Sequence, residues 1–280
     1  ERLQRELLSD VALRVQETED TDTFKVSGRG ELHLSILIET MRREGYEFCV
    51  SKPEVIFKKE NDILLEPIEL ATIEIPEEYM GAIMETLGQR KGIMTDMSNN
   101  LNGTVNMEFK IPARGLIGYR SHFMTETRGC GILNHVLDGY KPYKGYIPAR
   151  ICGSLVAFEP GSSTSYGLYN AQERGSLFIG PGVDVYEGMI VGENAKAGDI
   201  VVNVCRQKKF TNTRAVGTDE ALKLIPPIQF SLEQALEFIA DDELLEITPE
   251  GNRLRKKILN NALRIKTNTR TQEKSKHSPK

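Results

Sequence analysis

The amino-acid sequence predicts an α+β protein with two tandem ferredoxin-like βαββαβ modules and a β-rich, barrel-like carboxy-terminal domain. The first observation is that short runs of alternating apolar residues are separated by segments of helical period, and that this order occurs twice. The second is that, from about residue 148, short strand-like runs follow one another with glycine turns between them.

Residues 1–60 are predicted to form the first module. Residues 2–8 have the pattern of an amphipathic helix, and residues 11–16 and 24–26 have the pattern of strands. A helix with apolar residues at helical spacing between 34 and 41 ends near Gly45, and residues 46–57 are extended. This order is one strand short of a complete module. Since the chain also does not begin with Met, we expect the missing strand upstream of Glu1.

Residues 62–147 are predicted to form a complete second module. Pro76 opens its first helix, and an Asn- and Gly-rich turn joins its two middle strands. The predicted elements are, in order, a strand at 64–75, a helix at 77–89, strands at 93–97 and 104–111, a helix at 115–128 and a strand at 132–137.

Residues 148–280 are predicted to form the third domain, which ends in a basic tail. Its helix, 232–238, is expected to be capped by Ser231. Its predicted strands are 153–158, 165–168, 175–179, 189–193 and 200–204.

Composition excludes several classes of protein. With 280 residues, of which 39% are hydrophobic, the chain can bury sizeable cores, and no apolar run approaches the roughly 20 residues that span a bilayer. The first residues do not resemble a signal peptide. The four cysteines are far apart in sequence and have no histidine at ligand spacing, so neither a zinc site nor a disulfide framework is expected. This pattern fits a reducing cytosol.

The clearest functional signal is the basic loop, which we define as residues 206–218. It carries Arg206, Lys208, Lys209 and Arg214 and no acid, although the net charge of the whole chain is −4. Lys and Arg neutralise phosphates, and side chains such as Asn212 can hydrogen-bond sugars or base edges. The sequence therefore indicates a polyanionic partner. The alternative is a solvated hairpin tip.

A second basic region lies at the carboxy-terminal end. Residues 252–280 contain ten Lys or Arg residues and one acid, and basic tails of this kind usually contact nucleic acid. The acidic segment 231–246 precedes this region, so intramolecular pairing is the alternative. Residues 267–280 are almost devoid of apolar side chains, and we expect them to be disordered without a partner. The candidate RNA-binding residues at the start of the region are Arg253, Arg255, Lys256 and Lys257.

No catalytic constellation is visible in the sequence. Gly28 and Gly30 lack the third glycine of a dinucleotide-binding fingerprint, and the chain contains no phosphate-binding G-x-x-x-x-G-K-[ST] motif. His33 lies off the apolar stripe of its predicted helix and is interpreted as a surface or domain-interface residue. His122 and His135 have no Cys, Ser or acid at a telling spacing. We therefore expect no catalytic residue, no metal site and no cofactor in this chain.

Several motifs together resemble the carboxy-terminal portion of the TypA/BipA family of translational GTPases. The resemblance covers residues 1 to about 258. The first motif is shared with the third domain of elongation factor G, whereas the motif at the basic loop is particular to TypA/BipA. The motifs are VSGRGELHL at Val26–Leu34, MRREG at Met41–Gly45, PARGLIGYR at Pro112–Arg120, QERGSLF at Gln172–Phe178, VYEG at Val185–Gly188 and KKFTNTRAVGTDE at Lys208–Glu220.

This resemblance implies that 1–60 is similar to domain III of elongation factor G, 62–147 to its domain V, and 148–280 to the family-specific carboxy-terminal domain. It implies a monomeric, cytoplasmic, ribosome-associated protein without membrane contact that acts in translation regulation, large-subunit assembly and stress adaptation. In the family, an amino-terminal GTPase domain binds GTP and Mg²⁺. This chain lacks that domain, so we expect it to be inert as an enzyme and to have the GTPase domain as a partner.

The resemblance also implies roles for individual residues. Lys208, Lys209, Asn212 and Arg214 match positions of the loop that reaches the acceptor end of A-site tRNA and the peptidyl-transferase region. We also expect Arg114 or Arg120, in the motif at Pro112–Arg120, to contact ribosomal RNA, with a helix-terminal salt bridge as the alternative. Two rival functions stay open: a small-molecule-binding regulatory protein with paired ferredoxin-like modules, and a structural fragment whose cations neutralise its own acids.

Overall fold

The computed structural model describes residues 1–20, 22–100, 102–147, 150, 152–207 and 223–267. The basic loop beyond Gln207 and most of the tail predicted to be disordered lie outside the described residues. The chain divides into two compact units. Unit 1 comprises Glu1–Glu39, Pro53–Ala149 and Leu236–Phe238; unit 2 comprises Thr40–Lys52, Arg150–Ala235 and Ile239–Lys280.

The amino-terminal elements of unit 1 follow the predicted order. Strands β1 and β2 form an antiparallel hairpin in which Val15 pairs with Val26. Helix α2 begins in unit 1 and ends in unit 2, and it buries Leu37 and Ile38. The elements are α1 (Arg2–Glu6), β1 (Arg14–Glu17), β2 (Phe24–Ser27) and α2 (Glu31–Arg43).

Strand β3 (Phe48–Ser51) departs from the simple first module. The sequence predicts that it completes that module, but it belongs to unit 2, where it pairs antiparallel with a later strand and Val50 lies opposite Leu245. This pairing satisfies backbone N–H and C=O groups of β3 that would otherwise lack a partner strand. The sequence of one extended segment does not indicate which other strand it will pair with.

The second module has the predicted ferredoxin-like architecture. Its antiparallel sheet has the strand order β8-β5-β7-β6, and the short strand β4 pairs with the start of β5. Helices α3 to α5 pack on one face. The elements are β4 (Lys58–Glu60), β5 (Ile63–Pro76), α3 (Met80–Gln89), β6 (Ile93–Asn99), β7 (Thr104–Pro112), α4 (Ala113–Leu116), α5 (Tyr119–Glu126) and β8 (Ile132–Pro142).

The core of this module follows from the strand period. On β7, every second side chain from Val105 to Ile111 is buried, and the residues between them are half-buried on the opposite face. Tyr119 and Phe123 of α5 are fully buried in the same core. The helix predicted at 115–128 is divided into α4 and α5 at Gly118, whose φ of 70° is the left-handed conformation that favours glycine.

Unit 2 is built on a sheet of order β14-β9-β13-β16-β15-β3, with β11 added beside β13. The sheet is open rather than closed, so the barrel-like description is wrong. Each end strand of this path has a paired neighbour on one side only within the described residues. The elements from residue 150 onward are β9 (Ser154–Ala157), β10 (Gly161–Ser162), α6 (Ser165–Gln172), β11 (Gly175–Leu177), β12 (Asp184–Val185), β13 (Met189–Asn194), β14 (Ile200–Val202), α7 (Leu232–Phe238), β15 (Glu243–Thr248) and β16 (Gly251–Lys256). The last three residues of α7 belong to unit 1.

Three local features of the carboxy-terminal region show where the sequence predictions are right and where they are wrong. The capped helix is confirmed as α7, where Ser231 and Gln234 form a reciprocal capping box. The strand predicted at 165–168 is wrong, because Thr164 accepts a hydrogen bond from the Gly167 amide and starts α6. The hairpin β15–β16 was not predicted, since its cations suggest a solvated tail rather than a strand.

Candidate nucleic-acid interface

Helix α6 holds the start of the basic loop at one end and the chain just beyond the loop at the other. At its start, the Thr164 hydroxyl donates a hydrogen bond to the Arg206 carbonyl at 2.6 Å. At its end, the Gln172 side chain donates to the Lys223 carbonyl and accepts from the Ile225 amide, both at 3.1 Å. An eight-residue helix is about 12 Å long, so these two anchoring points are a short distance apart.

Close backbone packing fixes the place of α6. A Cβ atom at Gly167 would lie 2.2 Å from the Val204 carbonyl oxygen, so only glycine allows this approach. The Val204 carbonyl also accepts from the Thr164 amide at 2.9 Å. Helix α6 was not predicted, although an N-cap threonine followed by Leu168 and Ala171 at helical spacing indicates a helix.

Of the predicted loop residues, Arg206 lies at the surface. Lys208, Lys209, Asn212 and Arg214 lie outside the described residues. The structure therefore positions the base of the loop, and the predicted RNA contacts of the loop remain predictions.

Arg114 is engaged inside unit 1. Its Nε lies 2.5 Å from Oε2 of Glu66, a fully buried carboxylate, and its Nη2 donates to the Gly145 carbonyl. The Lys144 amide donates to the same carboxylate at 2.7 Å. This geometry matches the salt-bridge alternative for Arg114, because the guanidinium that would bind a phosphate already binds Glu66.

Arg120 is exposed, in contrast to Arg114. Its charge lies near His135, whose pKa is nevertheless raised because the imidazole pairs with Glu69. Of the two arginines proposed for ribosomal RNA, Arg120 is thus the one whose exposure is compatible with an RNA contact.

The four candidate RNA-binding cations on β16 and directly after it have different environments. Arg253 and Lys257 are exposed, and Arg255 pairs with Glu246 at 3.3 Å. The grouping of Lys256 with RNA-contacting cations needs correction, because its side chain is 2% exposed. Strand alternation turns Lys256 to the inner face of β16, together with Leu254.

A cluster of acids surrounds the buried ammonium group of Lys256. Its Nζ lies 2.5 Å from Asp199 and 2.9 Å from both Asp242 and Glu243. Arg150 also pairs with Glu243, at 3.1 Å. Burial raises the pKa of Glu243, but the charges of Lys256 and Arg150 outweigh burial and hold it below its ordinary value. Sequence reasoning missed this cluster, because its members come from four separate segments.

The small-molecule alternative requires an apolar pocket. The open face of the second module's sheet carries a shallow groove with mostly polar and acidic walls. Its lining residues are Thr72, Glu74, Asp96, Ser98, Asn106, Glu108, Ile132 and Asn134. This groove does not have the apolar character that such a ligand site requires.

Two features are absent from the described part of the chain. There, no group of three or more His, Cys, Asp or Glu side chains is arranged to hold a metal ion. Among the helices of the same residues, none has the length and apolar character needed to cross a membrane.

Comparison with known proteins gives a consistent result over most of the chain. Residues 152–261 match the family model of the TypA/BipA C-terminal domain, and residues 63–151 match that of the elongation factor G C-terminus. The large ribosomal subunit assembly factor BipA of Bacillus subtilis is 52% identical over 261 residues, which is 93% of this chain and 43% of that protein.

Relatives of the same name in other bacteria give similar values. BipA of Synechocystis is 52% identical over 256 residues, covering 91% of this chain and 43% of that protein. BipA of Salmonella typhimurium is 50% identical over 260 residues, covering 92% and 43%. The chain therefore spans less than half the length of the curated relatives that it matches.

Proposed function

Because this chain belongs to the TypA/BipA family, we propose that it is the ribosome-binding part of a large-subunit assembly factor and that its basic loop contacts RNA. The relatives named above are large ribosomal subunit assembly factors. The observation that carries the loop assignment is the anchoring on α6 of Arg206, at the start of the loop, and of Lys223, beyond its end, with Arg206 exposed.

The physical account of binding has two parts. The cations of the loop neutralise phosphates and release counterions, which supplies affinity without sequence specificity. The anchors at Thr164 and Gln172 restrict where the loop can reach, so less conformational entropy is lost when it binds. The proposed targets are ribosomal RNA and the acceptor end of A-site tRNA, both of which offer unpaired nucleotides.

The proposal extends to the whole protein. The parent protein is a monomeric, cytoplasmic GTPase that binds GTP and Mg²⁺ in a domain outside this chain and acts in translation regulation and stress adaptation. In that arrangement this chain supplies ribosome binding, and the GTPase domain supplies the nucleotide-dependent step.

Co-sedimentation with purified ribosomes over a salt series tests the loop assignment. The variant Lys208→Gln/Lys209→Gln should pellet less and should flatten the slope of log affinity against log salt by about 1.4 to 1.8, since each phosphate contact contributes about 0.7 to 0.9. The matched control is Arg14→Gln/Lys25→Gln, which removes two cations from the exposed hairpin β1–β2. Equal slopes for the loop variant and the wild type would overturn the assignment.

A further inference from the structure

The segment Tyr140–Tyr146 alternates aromatic and cationic side chains. It has the sequence YKPYKGY and contains three tyrosines, two lysines and no acid. The segment begins on β8, continues past the end of that strand at Pro142, and lies within unit 1. None of its residues belongs to the basic loop or to the carboxy-terminal hairpin.

A buried ion pair holds the backbone of this segment in place. Glu66 accepts from the Lys144 amide, while Arg114 binds both Glu66 and the Gly145 carbonyl. The guanidinium of Arg114 lies 4.5 Å from the centre of the Tyr143 ring. A surface fixed in this way loses little conformational freedom when it binds a ligand.

The Tyr140–Tyr146 segment exposes aromatic rings to solvent. Tyr146 is 74% exposed and Tyr143 is 42% exposed. Phe57 meets Tyr143 edge-on at 5.9 Å, and Lys58 lies 3.9 Å from the centre of the Tyr140 ring. Exposed tyrosines on a rigid backbone provide flat faces on which nucleic-acid bases stack.

The two lysines of the segment have different neighbours. Burial and the neighbouring charge of Lys141 lower the pKa of Lys144. Lys141 pairs with Asp138 at 3.9 Å, and Asp138 also pairs with Lys110 at 3.0 Å. The Lys144 ammonium group donates to the Lys91 carbonyl at 3.3 Å. Because the segment carries two lysines and no acid, it favours an anionic ligand.

We propose that the Tyr140–Tyr146 segment binds unpaired nucleotides of RNA. In this arrangement a base stacks on Tyr146, and phosphates bind Lys141 and Lys144. A protein partner is less suitable, because lysine is depleted at protein–protein interfaces and the segment contains no Leu, Ile, Val or Met side chain. This surface goes beyond the proposed function, since it is an RNA contact on unit 1 that does not involve the basic loop.

Fluorescence anisotropy with a labelled, mixed-sequence, single-stranded RNA of ten nucleotides tests this proposal. All proteins in the assay carry Lys208→Gln/Lys209→Gln, so that these two lysines contribute nothing. Tyr146→Ala should weaken binding about tenfold, because it removes one base-stacking platform, while Tyr146→Phe should bind like the parent. The control is Tyr46→Ala, which removes another exposed tyrosine, in unit 2.

A second variant tests the phosphate contacts. Lys141→Gln/Lys144→Gln should flatten the salt slope for this RNA by about 1.4, the value for two contacts with a single strand. The proposal is overturned if Tyr146→Ala and Tyr46→Ala bind the RNA equally well. It is also overturned if Tyr146→Ala reduces ribosome pelleting while binding to the RNA is unchanged, because the surface then contacts protein. Neither result bears on the loop, whose own test compares loop variants on ribosomes.

Discussion

The hairpin β15–β16 and the segment Tyr140–Tyr146 both carry closely spaced cations, but the fold uses these cations differently. In β16, alternation turns Lys256 inward to the acids at Asp199, Asp242 and Glu243, and leaves Arg253 exposed. In the Tyr140–Tyr146 segment, a separate buried pair, Arg114–Glu66, fixes the backbone. Lys141 and Tyr146 there stay exposed. Cation density in sequence is therefore a poor guide to surface charge.

The largest expected effect is on stability at Lys256. Lys256→Met should lower the free energy of unfolding by about 3 to 5 kcal/mol, because it removes the buried positive charge that pairs with Glu243 and its neighbouring acids. Lys257→Met removes an exposed neighbour and should change stability by less than about 0.5 kcal/mol. Urea unfolding of both variants measures the difference. Similar losses in the two would break the contrast between buried and exposed cations.

The two arginines of the α4–α5 region provide the same comparison of a paired and an exposed cation, here in unit 1. Arg114→Met should destabilise the protein by about 3 kcal/mol, since Glu66 stays buried without its cation. Arg120→Met should leave stability nearly unchanged, because Arg120 is exposed. Thermal and urea unfolding provide the measurement. If Arg120→Met lowered stability as much as Arg114→Met, the assignment of an internal role to Arg114 alone would be wrong.

The Lys256 cluster predicts a specific response to acid. Its cations hold the pKa of Glu243 below the ordinary value of about 4.3, against the effect of burial. The resulting stability is present above the unfolded pKa and is lost as the pH falls through the folded pKa. Unfolding free energies measured between about pH 5 and pH 2 should therefore decline, and Glu243→Gln should reduce this decline. An identical pH profile for the variant would contradict the role of Glu243.

The smallest stability effect is expected at the exposed cations of the hairpin. Arg253→Gln/Lys257→Gln should change the free energy of unfolding by less than about 0.5 kcal/mol. If both residues contact phosphates, the variant should flatten the salt slope of ribosome binding by about 1.4 to 1.8. Co-sedimentation provides the readout. An unchanged slope would remove these two residues from the proposed RNA interface.

The sequence predicted the second module well because its signals are local. Alternation along residues 64–75 and 104–111 specifies one buried face of each strand, and the structure places β5 and β7 there. The Ser231 cap is equally local, since one hydroxyl accepts a bond from an amide three residues away. The motifs that identify the family are likewise contiguous in the chain.

Tertiary structure alone decided the partners of these elements. The pairing of β3 with β15, the close approach of α6 to Val204 and the burial of Lys256 among acids join segments that are far apart in the chain. Backbone pairing is compatible with many strands, and a lysine at a given position suits either water or a buried carboxylate. Local propensity fixes the element, whereas the free energy of long-range packing and charge burial fixes its neighbours.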